Sequence, residues 1–382
     1  MPGRATFVGL WFLLTLARGV LITVIPLTAH RLFHDAQSVS EVYFVISLLA
    51  LGVSLASPML IALLRQRWVF SLGCLSLISS AILIGLDEPW SVPAGMALQL
   101  FGVVGTEIPL NLYILDYIPR RDLVRFEPLR LFFAAGPWTV GPWLGVKLQE
   151  AVAPWAPFVL SGSIAAALLA LFWALRIADR GLGAPAHARP ANPLRFVPRF
   201  ARQPRLRLAW ILAFGRAGWW YMFFIYAPIY CVTYGLGPEV GGLLVSLGSA
   251  GIFGAPLFGW IARRVGLRRH LIWAYGTTGA ITLLVALVAP WPWLGFATLL
   301  AATVFTSTID GAGNTLFLRA VRPLERAEMT AVFMTYRDSA QLSVPGIYAV
   351  MLLVLPLPYV FVVSGVVTAS LALVARYIPR RM

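Results

Sequence analysis

The chain has 382 residues, of which 59% are hydrophobic and only 12% are charged, and its mean hydropathy is +0.81. A soluble domain carries about 25% charged residues, so this composition excludes a water-soluble fold. Lys and Arg outnumber Asp and Glu by 30 to 15, which gives a formal net charge of +15. The two cysteines, Cys74 and Cys231, fall in or beside apolar segments, which argues against a disulfide framework.

A membrane-spanning helix needs about 20 largely apolar residues, and the sequence contains twelve such segments. In chain order, the predicted spans 1 to 12 cover residues 5–31, 40–64, 68–86, 92–117, 126–148, 155–177, 207–234, 238–262, 268–289, 292–318, 328–352 and 356–378. We therefore predict an all-α integral membrane protein of twelve transmembrane helices.

Basic residues concentrate in every second connection between these spans. Arg120 and Arg121 follow span 4, and Arg263 and Arg264 follow span 8, whereas the alternate connections hold few basic residues. This distribution follows the positive-inside rule and predicts that both termini are cytoplasmic. It indicates a multi-pass protein of the plasma (inner) membrane, surrounded by the lipid bilayer. Because this topology accounts for the net charge, we expect no nucleic acid partner.

The longest connection divides the chain into two halves of six spans each. Residues 178–206 are rich in Pro, Gly and Arg. We therefore predict an N-terminal half over 1–177, a basic cytoplasmic linker, and a C-terminal half over 207–382. Within the linker, the stretch from Pro193 to Arg207 predicts a short basic helix on the inner membrane surface.

The two halves repeat the same polar pattern. At a spacing of 198 residues, Arg18 matches Arg216 and Arg65 matches Arg263. Spacings of 203 and 207 pair Glu107 with Asp310, Asn111 with Asn314, and Arg130 with Arg337. Charged residues inside spanning segments are rare, so the pattern indicates two parallel structural copies related by an axis along the membrane normal.

A short segment between spans 8 and 9 carries a family signature. Residues 259–269 read Gly-Trp-Ile-Ala-Arg-Arg-Val-Gly-Leu-Arg-Arg and resemble the cytoplasmic loop signature of major facilitator superfamily transporters. Arg263 stands where that signature has an acid, so we expect the inner gate to be held differently. The first-half copy keeps Arg65 and Arg67 but has neither glycine. The predicted gating residues are Arg130, Gly259, Arg263, Arg264, Gly266, Arg268 and Arg269.

The resemblance implies that spans 1, 4, 7 and 10 line a central cavity and that spans 2, 5, 8 and 11 flank it. An arginine at the centre of a spanning helix costs about 2.5–3.5 kcal/mol, so Arg18 and Arg216 need partners, water or a bound solute. The predicted substrate-binding residues are Arg18, Arg216, Glu107, Asn111, Asp310, Asn314, Arg337, Trp219 and Trp220.

Span 10 carries a stripe of polar residues at helical spacing. The residues on this side are Thr303, Thr306, Ser307, Asp310 and Asn314. Because a polar stripe that faces lipid is costly, we expect it to face a cavity or another helix. We expect proton binding at Asp310 above all, because of its hydroxyl-rich surroundings, with Glu107 and Asp338 as the other proton-coupling candidates.

Two interpretations of the charged residues remain open. Arg18–Glu107 and Arg216–Asp310 are either self-neutralising structural pairs, or their arginines bind an anionic group of a solute while the carboxylates bind protons. The arginines of spans 1 and 7 are similar in placement to those that grip phosphate in organophosphate antiporters of the superfamily. The Glu of span 4 and the Arg of span 5 resemble those of sugar symporters. Four arginines stand against three carboxylates, and this balance suits a carboxylate-bearing or zwitterionic solute.

Span 5 contains the stretch Gly136-Pro-Trp-Thr-Val-Gly-Pro-Trp-Leu-Gly145. It resembles the Gly-Pro signature of drug antiporters in this superfamily, which would favour export. Gly and Pro also permit close packing and bending of spanning helices. Glu107 occupies the region where such antiporters carry an Arg, which speaks against a multidrug substrate.

The sequence therefore predicts secondary active transport of a small organic solute with an anionic group (carboxylate, phosphate or zwitterion), by alternating access and coupled to protons. The alternatives are proton antiport that exports amphipathic drugs or lipids, and a transporter-like membrane scaffold that moves nothing. The sequence offers no nucleophile–base pair, phosphate loop or metal cluster, so we expect no enzyme, no cofactor and no bound metal. We expect a monomer.

Overall fold

The computed structural model describes residues 3–175, 196–312, 314–322 and 325–379. All the regular elements in these ranges are helices, so the predicted all-helical fold class is confirmed. The contacts divide the chain into two compact units, Met1–Arg189 and Pro190–Met382, called unit 1 and unit 2 below. Most of the predicted linker, residues 178–195, lies outside the described residues.

Unit 1 contains seven helices in the described residues. They are α1 (Arg4–Leu21), α2 (Val24–Phe33), α3 (Ala36–Leu64), α4 (Gln66–Gly85), α5 (Ser91–Tyr117), α6 (Arg120–Ala151) and α7 (Ala156–Ala174). Unit 2 contains α8 (Val197–Ala201), α9 (Pro204–Thr233), α10 (Pro238–Ser249), a 3₁₀ turn (Ala250–Gly254), α11 (Ala255–Val265), α12 (Leu267–Val288), α13 (Pro292–Ala312), α14 (Thr315–Ala320), α15 (Arg326–Met351) and α16 (Pro358–Ala375).

Ten helical segments in the described residues are long and apolar enough to cross a membrane. Two further long helices, α6 and α15, coincide with predicted spans 5 and 11. They are less apolar than the others, because α6 is rich in Gly, Pro and Trp and α15 begins with polar residues. The total of twelve spans therefore stays a prediction, as does the cytoplasmic placement of both termini.

Three predicted spans, 1, 8 and 10, each form one membrane-length helical segment, but the α-helix within each is interrupted. Span 1 breaks at Ile22 and Thr23, and span 8 passes through the 3₁₀ turn. A proline explains each break, because Pro26 and Pro256 have no N–H to bond to the carbonyl four residues earlier. Span 10 breaks between α13 and α14, where Asn314 is a turn residue among glycines. Each of these breaks lies within about two turns of a predicted site residue.

The linker ends in α8, which is shorter than the predicted helix and is anchored to the start of α15. Glu325 accepts hydrogen bonds from Gln203 Nε2 at 3.0 Å and from Arg199 at 2.5 Å. The hydrogen bond from Gln203, with the nearby Arg199 charge, holds the pKa of Glu325 below its usual range. Phe200 is buried in the core of unit 2, so α8 packs against this unit through this side chain.

Glycines allow the backbones of α1 and α6 to touch. A Cβ atom on Gly145 would overlap the carbonyl oxygen of Val20, and one on Gly141 would lie 2.5 Å from the carbonyl carbon of Gly19. Gly136 has open space around the same position. Two of the three glycines in the Gly-Pro stretch therefore have a direct packing role, and they bring α6 against the helix that carries Arg18.

We expect Gly145→Ala to destabilise the protein by about 1–3 kcal/mol, because the added methyl group forces the two backbones apart. Gly136→Ala serves as the matched control, because the Cβ position of Gly136 has no neighbouring atom within 4 Å. This variant should keep the melting temperature within about 1 °C of wild type. The measurement is the thermal unfolding of both purified variants in detergent. Equal melting temperatures would contradict the close α1–α6 contact.

The junctions α3–α4 and α11–α12 show which residue of unit 2 corresponds to Arg65. Each junction is a single residue with positive φ: Arg65 at +66° in unit 1 and Gly266 at +90° in unit 2. The two junctions lie 201 residues apart, so Arg65 corresponds to Gly266 and its predicted match with Arg263 is wrong. An arginine with φ +66° and ψ 151° occupies a region that favours glycine.

Replacing Arg65 by Gly should stabilise the protein by about 1 kcal/mol, because glycine adopts this conformation without steric cost. The reciprocal change Gly266→Ala should destabilise it by a similar amount. Melting temperatures of the two variants in the same detergent test both signs. A loss of stability in Arg65→Gly would mean that the exposed arginine contributes more through its charge than it costs in strain.

Candidate functional site

In unit 1, the first predicted charge pair is formed. Arg18 of α1 lies with its Nη1 3.3 Å from Oε1 of Glu107 on α5. The side chains are 22% and 31% exposed, so the pair is neither sealed in the core nor fully open. An arginine and a carboxylate from different helices thus neutralise each other within one unit, as the repeat predicted.

A second arginine completes the unit 1 cluster. Arg130 of α6 donates from Nη1 to Oδ1 of Asn111 at 2.7 Å, and Asn111 lies one turn after Glu107 on α5. The Arg130 guanidinium stacks 4.2 Å from the ring centroid of Trp11, and that of Arg18 lies 5.7 Å from Trp138. Arg130 was predicted as a gating residue, but the structure places it beside a predicted substrate-binding residue. Neither tryptophan was among the predicted site residues.

Unit 2 forms the matching pair with additional hydrogen bonds. Arg216 Nε of α9 lies 3.3 Å from Oδ1 of Asp310 on α13, with side chains 11% and 33% exposed. Arg216 also donates to Oδ1 of Asn314 at 3.2 Å. The indole N–H of Trp220 donates to the other oxygen of Asp310 at 2.7 Å. Asp310 is therefore held by one charged and one neutral donor.

Tyr336 is a site residue that sequence reasoning missed. Its phenol oxygen accepts hydrogen bonds from Arg216 Nη2 and from Arg337 Nε, each at 3.2 Å. The ring packs against Phe333 and is almost fully buried, which fixes the position of the hydroxyl. Two guanidinium groups therefore converge on one oxygen atom. The only sequence signal was the position of Tyr336 directly before Arg337.

The asparagines differ between the two units. Asn111 accepts from the arginine of α6, whereas Asn314 accepts from the arginine of α9. The helix break between α13 and α14 accounts for the difference, because it takes Asn314 out of the helix that carries Asp310. Asp338 follows Arg337 on α15 and is half-buried, about 100° further round the helix.

The hydroxyl stripe of span 10 faces another helix rather than Asp310. Thr303 and Thr306 are buried and donate to carbonyls of their own helix. Ser307 packs against the 3₁₀ turn, where a Cβ atom on Gly251 would overlap its hydroxyl oxygen. Among the described residues, Asp310 pairs with Arg216 and accepts a hydrogen bond from Trp220, so its partners are not the hydroxyl groups that the sequence suggested.

Of the two adjacent tryptophans predicted to contact a solute, only Trp220 has exposed surface. Trp219 is 2% exposed and donates its indole N–H to Thr282 of α12 at 2.9 Å. Trp220 is half-buried beside Asp310. The structure therefore gives Trp219 a packing role and leaves Trp220 as the candidate for contact with a solute.

The predicted gating segment forms the end of α11 and the start of α12. Arg263 and Arg264 are exposed, and the Arg264 guanidinium stacks 4.4 Å from the Trp260 ring. Gly259 faces α13, where its Cβ position lies 3.2 Å from the carbonyl oxygen of Gly311. Gly311 follows Asp310 directly. The segment that includes Arg268 and Arg269 is therefore connected to the unit 2 cluster by the α11–α13 contact.

Comparison with known proteins identifies the family of the chain. The sequence profile described as the Major Facilitator Superfamily matches residues 8–345. No curated protein matches the sequence significantly. Among solved structures, a mutant of the nucleoside transporter NupG has a TM-score of 0.79 at 14% identity, over 98% of this chain and 99% of that chain.

Two other solved structures share the same fold. A bacterial homologue of the iron transporter ferroportin, in an inward-facing state, has a TM-score of 0.70 at 15% identity over 98% of both chains. A mutant of the peptide transporter POT has a TM-score of 0.69 at 14% identity, over 98% of this chain and 94% of that chain. At these identities the similarity establishes the fold.

Proposed function

Because the chain belongs to the Major Facilitator Superfamily, we propose that it moves a small organic solute with an anionic group across the plasma (inner) membrane and couples this movement to protons. The family establishes transport by alternating access as the activity, rather than an enzymatic reaction. The anionic group of the solute is a carboxylate or a phosphate, alone or within a zwitterion. Arg18 and Arg216 are the proposed direct contacts of this anionic group.

The convergence of Arg216 and Arg337 on the Tyr336 hydroxyl is the main support for an anionic solute. A neutral phenol oxygen accepts from two cationic groups, at 3.2 Å each. A carboxylate or phosphate oxygen would accept from the same two groups as an oppositely charged partner, in N⁺–H···O⁻ hydrogen bonds of about 2.7–2.9 Å. The arginines therefore have more to gain from a solute anion than from the phenol.

The two charge pairs are long enough to exchange partners. Arg18–Glu107 and Arg216–Asp310 are each 3.3 Å apart, whereas charge-assisted hydrogen bonds are about 2.7–2.9 Å long. Arg4–Asp122, at the helix ends, reaches 2.7 Å. Asp310 also keeps its hydrogen bond from Trp220 if Arg216 turns away. A solute anion can therefore replace the carboxylate without leaving every partner unsatisfied.

The same exchange supports the proposed coupling to protons. When a solute anion takes the arginine, Glu107 or Asp310 loses its counter-charge inside the membrane, where an uncompensated charge is costly. Protonation removes that charge. Asp338 is the third candidate proton site. We propose that the carboxylates bind protons as the solute binds and release them as the charge pairs re-form.

A thermal-shift screen tests the solute class. We expect at least one carboxylated, phosphorylated or zwitterionic compound to raise the melting temperature of the purified protein. A ligand present at 100 times its Kd adds about 2.7 kcal/mol to the free energy of unfolding. The shift should vanish in Arg18→Gln and Arg216→Gln, which remove the central guanidinium groups. Arg4→Gln, which breaks a pair at a helix end, is the matched control and should keep the full shift.

Two outcomes of the screen would favour the alternatives. Stabilisation by cationic or lipid-like compounds alone, with the variants responding like wild type, would assign the arginines a structural role and favour export of amphipathic compounds. A complete absence of ligand stabilisation and of transport would favour the membrane scaffold.

Transport in proteoliposomes tests the coupling. With a solute from the screen, an imposed pH gradient should drive accumulation by the wild type. Glu107→Gln or Asp310→Asn should abolish gradient-driven accumulation and retain solute exchange at equal pH, because a permanently neutral side chain cannot carry the proton. Asp122→Asn, at the end of α6, is the control. Undiminished accumulation in both site variants would rule out these two carboxylates as proton sites.

A further inference from the structure

Shortly after Arg216, residues 219–224 of α9 include five aromatic side chains, and four of them stack: Trp219, Trp220, Phe223 and Phe224. They form two stacked pairs at the i, i+4 spacing that brings side chains together on a helix. Trp219 and Phe223 stack with their centroids 5.4 Å apart and their planes at 10°. Trp220 and Phe224 stack at 5.5 Å and 22°.

The two stacks have different surroundings. Trp219 and Phe223 are fully buried in unit 2, and Trp219 is tied to α12 through Thr282. The Trp220–Phe224 stack is half-buried. Its indole N–H donates to Asp310 at 2.7 Å, while Phe224 packs against the ring. The orientation of the Trp220 indole is thus set from two sides, directly beside the charge pair of unit 2.

Unit 1 does not need aromatic rings at the corresponding positions. At the repeat spacing of 198 residues that matches the two arginines, Trp220 corresponds to Ile22 and Phe224 to Pro26. The unit 1 arginine pairs with its carboxylate at the same 3.3 Å without any such stack. The aromatic stack is therefore not a requirement of the charge pair and is specific to unit 2.

We propose that the solute is an aromatic carboxylate, whose planar ring packs on the Trp220–Phe224 stack while its carboxylate takes the hydrogen bonds of Arg216 and Arg337. This inference rests on the proposed function and specifies its solute class. Offset or edge-to-face packing of aromatic rings gains affinity beyond the burial of apolar area. A flat ring should therefore bind more tightly than a saturated ring of the same size that carries the same carboxylate.

Titration of the purified full-length protein with benzoate and with cyclohexanecarboxylate, followed by thermal shift, tests the proposal. We expect benzoate to bind about 2- to 10-fold more tightly. Trp220→Leu and Phe224→Leu should bring the two affinities together, while Trp220→Phe should keep the preference because it keeps a ring. Phe214→Leu is the matched control, since Phe214 belongs to the Trp210–Phe214 stack earlier on α9, and it should also keep the preference.

The outcomes separate this inference from the function on which it rests. Equal affinities for the two probes, or stabilisation by non-aromatic anions alone, would overturn the aromatic solute and leave anion transport standing. A benzoate preference that persists in Trp220→Leu and Phe224→Leu would overturn the assignment of this stack. Stabilisation by choline and other cations alone would overturn both the inference and the proposed function.

Discussion

The need to neutralise an arginine inside an apolar helix governs the arrangement of both units. A guanidinium cannot lose its charge at physiological pH, so Arg18 and Arg216 must find partners within reach of their own helices. Each finds a carboxylate at 3.3 Å on a helix about 90 residues further along the chain. Aromatic rings supply the second layer of contacts, with Trp138 beside Arg18 and Tyr336 beside Arg216.

The aromatic neighbour of Arg18 depends on close packing between α1 and α6. In unit 1, Gly141 and Gly145 let α6 approach the backbone of α1, and α6 carries Trp138 as well as Arg130. A helix pair held further apart by ordinary side chains would leave the Arg18 guanidinium without its aromatic neighbour. The Gly-Pro stretch of α6 thus contributes to the site through helix packing. This role is the same for an importer and for an exporter.

The two units have the same charge pair but differ in what surrounds it. In unit 1 the asparagine binds the second arginine, and the helix with Arg18 ends at Leu21. In unit 2 the helix break after Ala312 places Asn314 against the first arginine, and an indole holds Asp310. Proline and glycine positions produce the differences in where the helices end, because they decide where a helix loses its backbone hydrogen bonds.

The sequence by itself determined the helical membrane fold, the positions of most spans and the Arg–acid repeat, because long apolar windows and rare charges within them are local signals. It also placed Arg216 and Asp310 on helices of the same half. Only the tertiary structure decided that Trp219 is buried while Trp220 donates to Asp310, and that Tyr336 accepts hydrogen bonds from both Arg216 and Arg337. It also decided that Arg65, at the α3–α4 junction, corresponds to Gly266 at the α11–α12 junction. Adjacent residues on a helix point in directions about 100° apart. Which direction meets a cluster depends on how helices distant in sequence pack, and no local pattern records that packing.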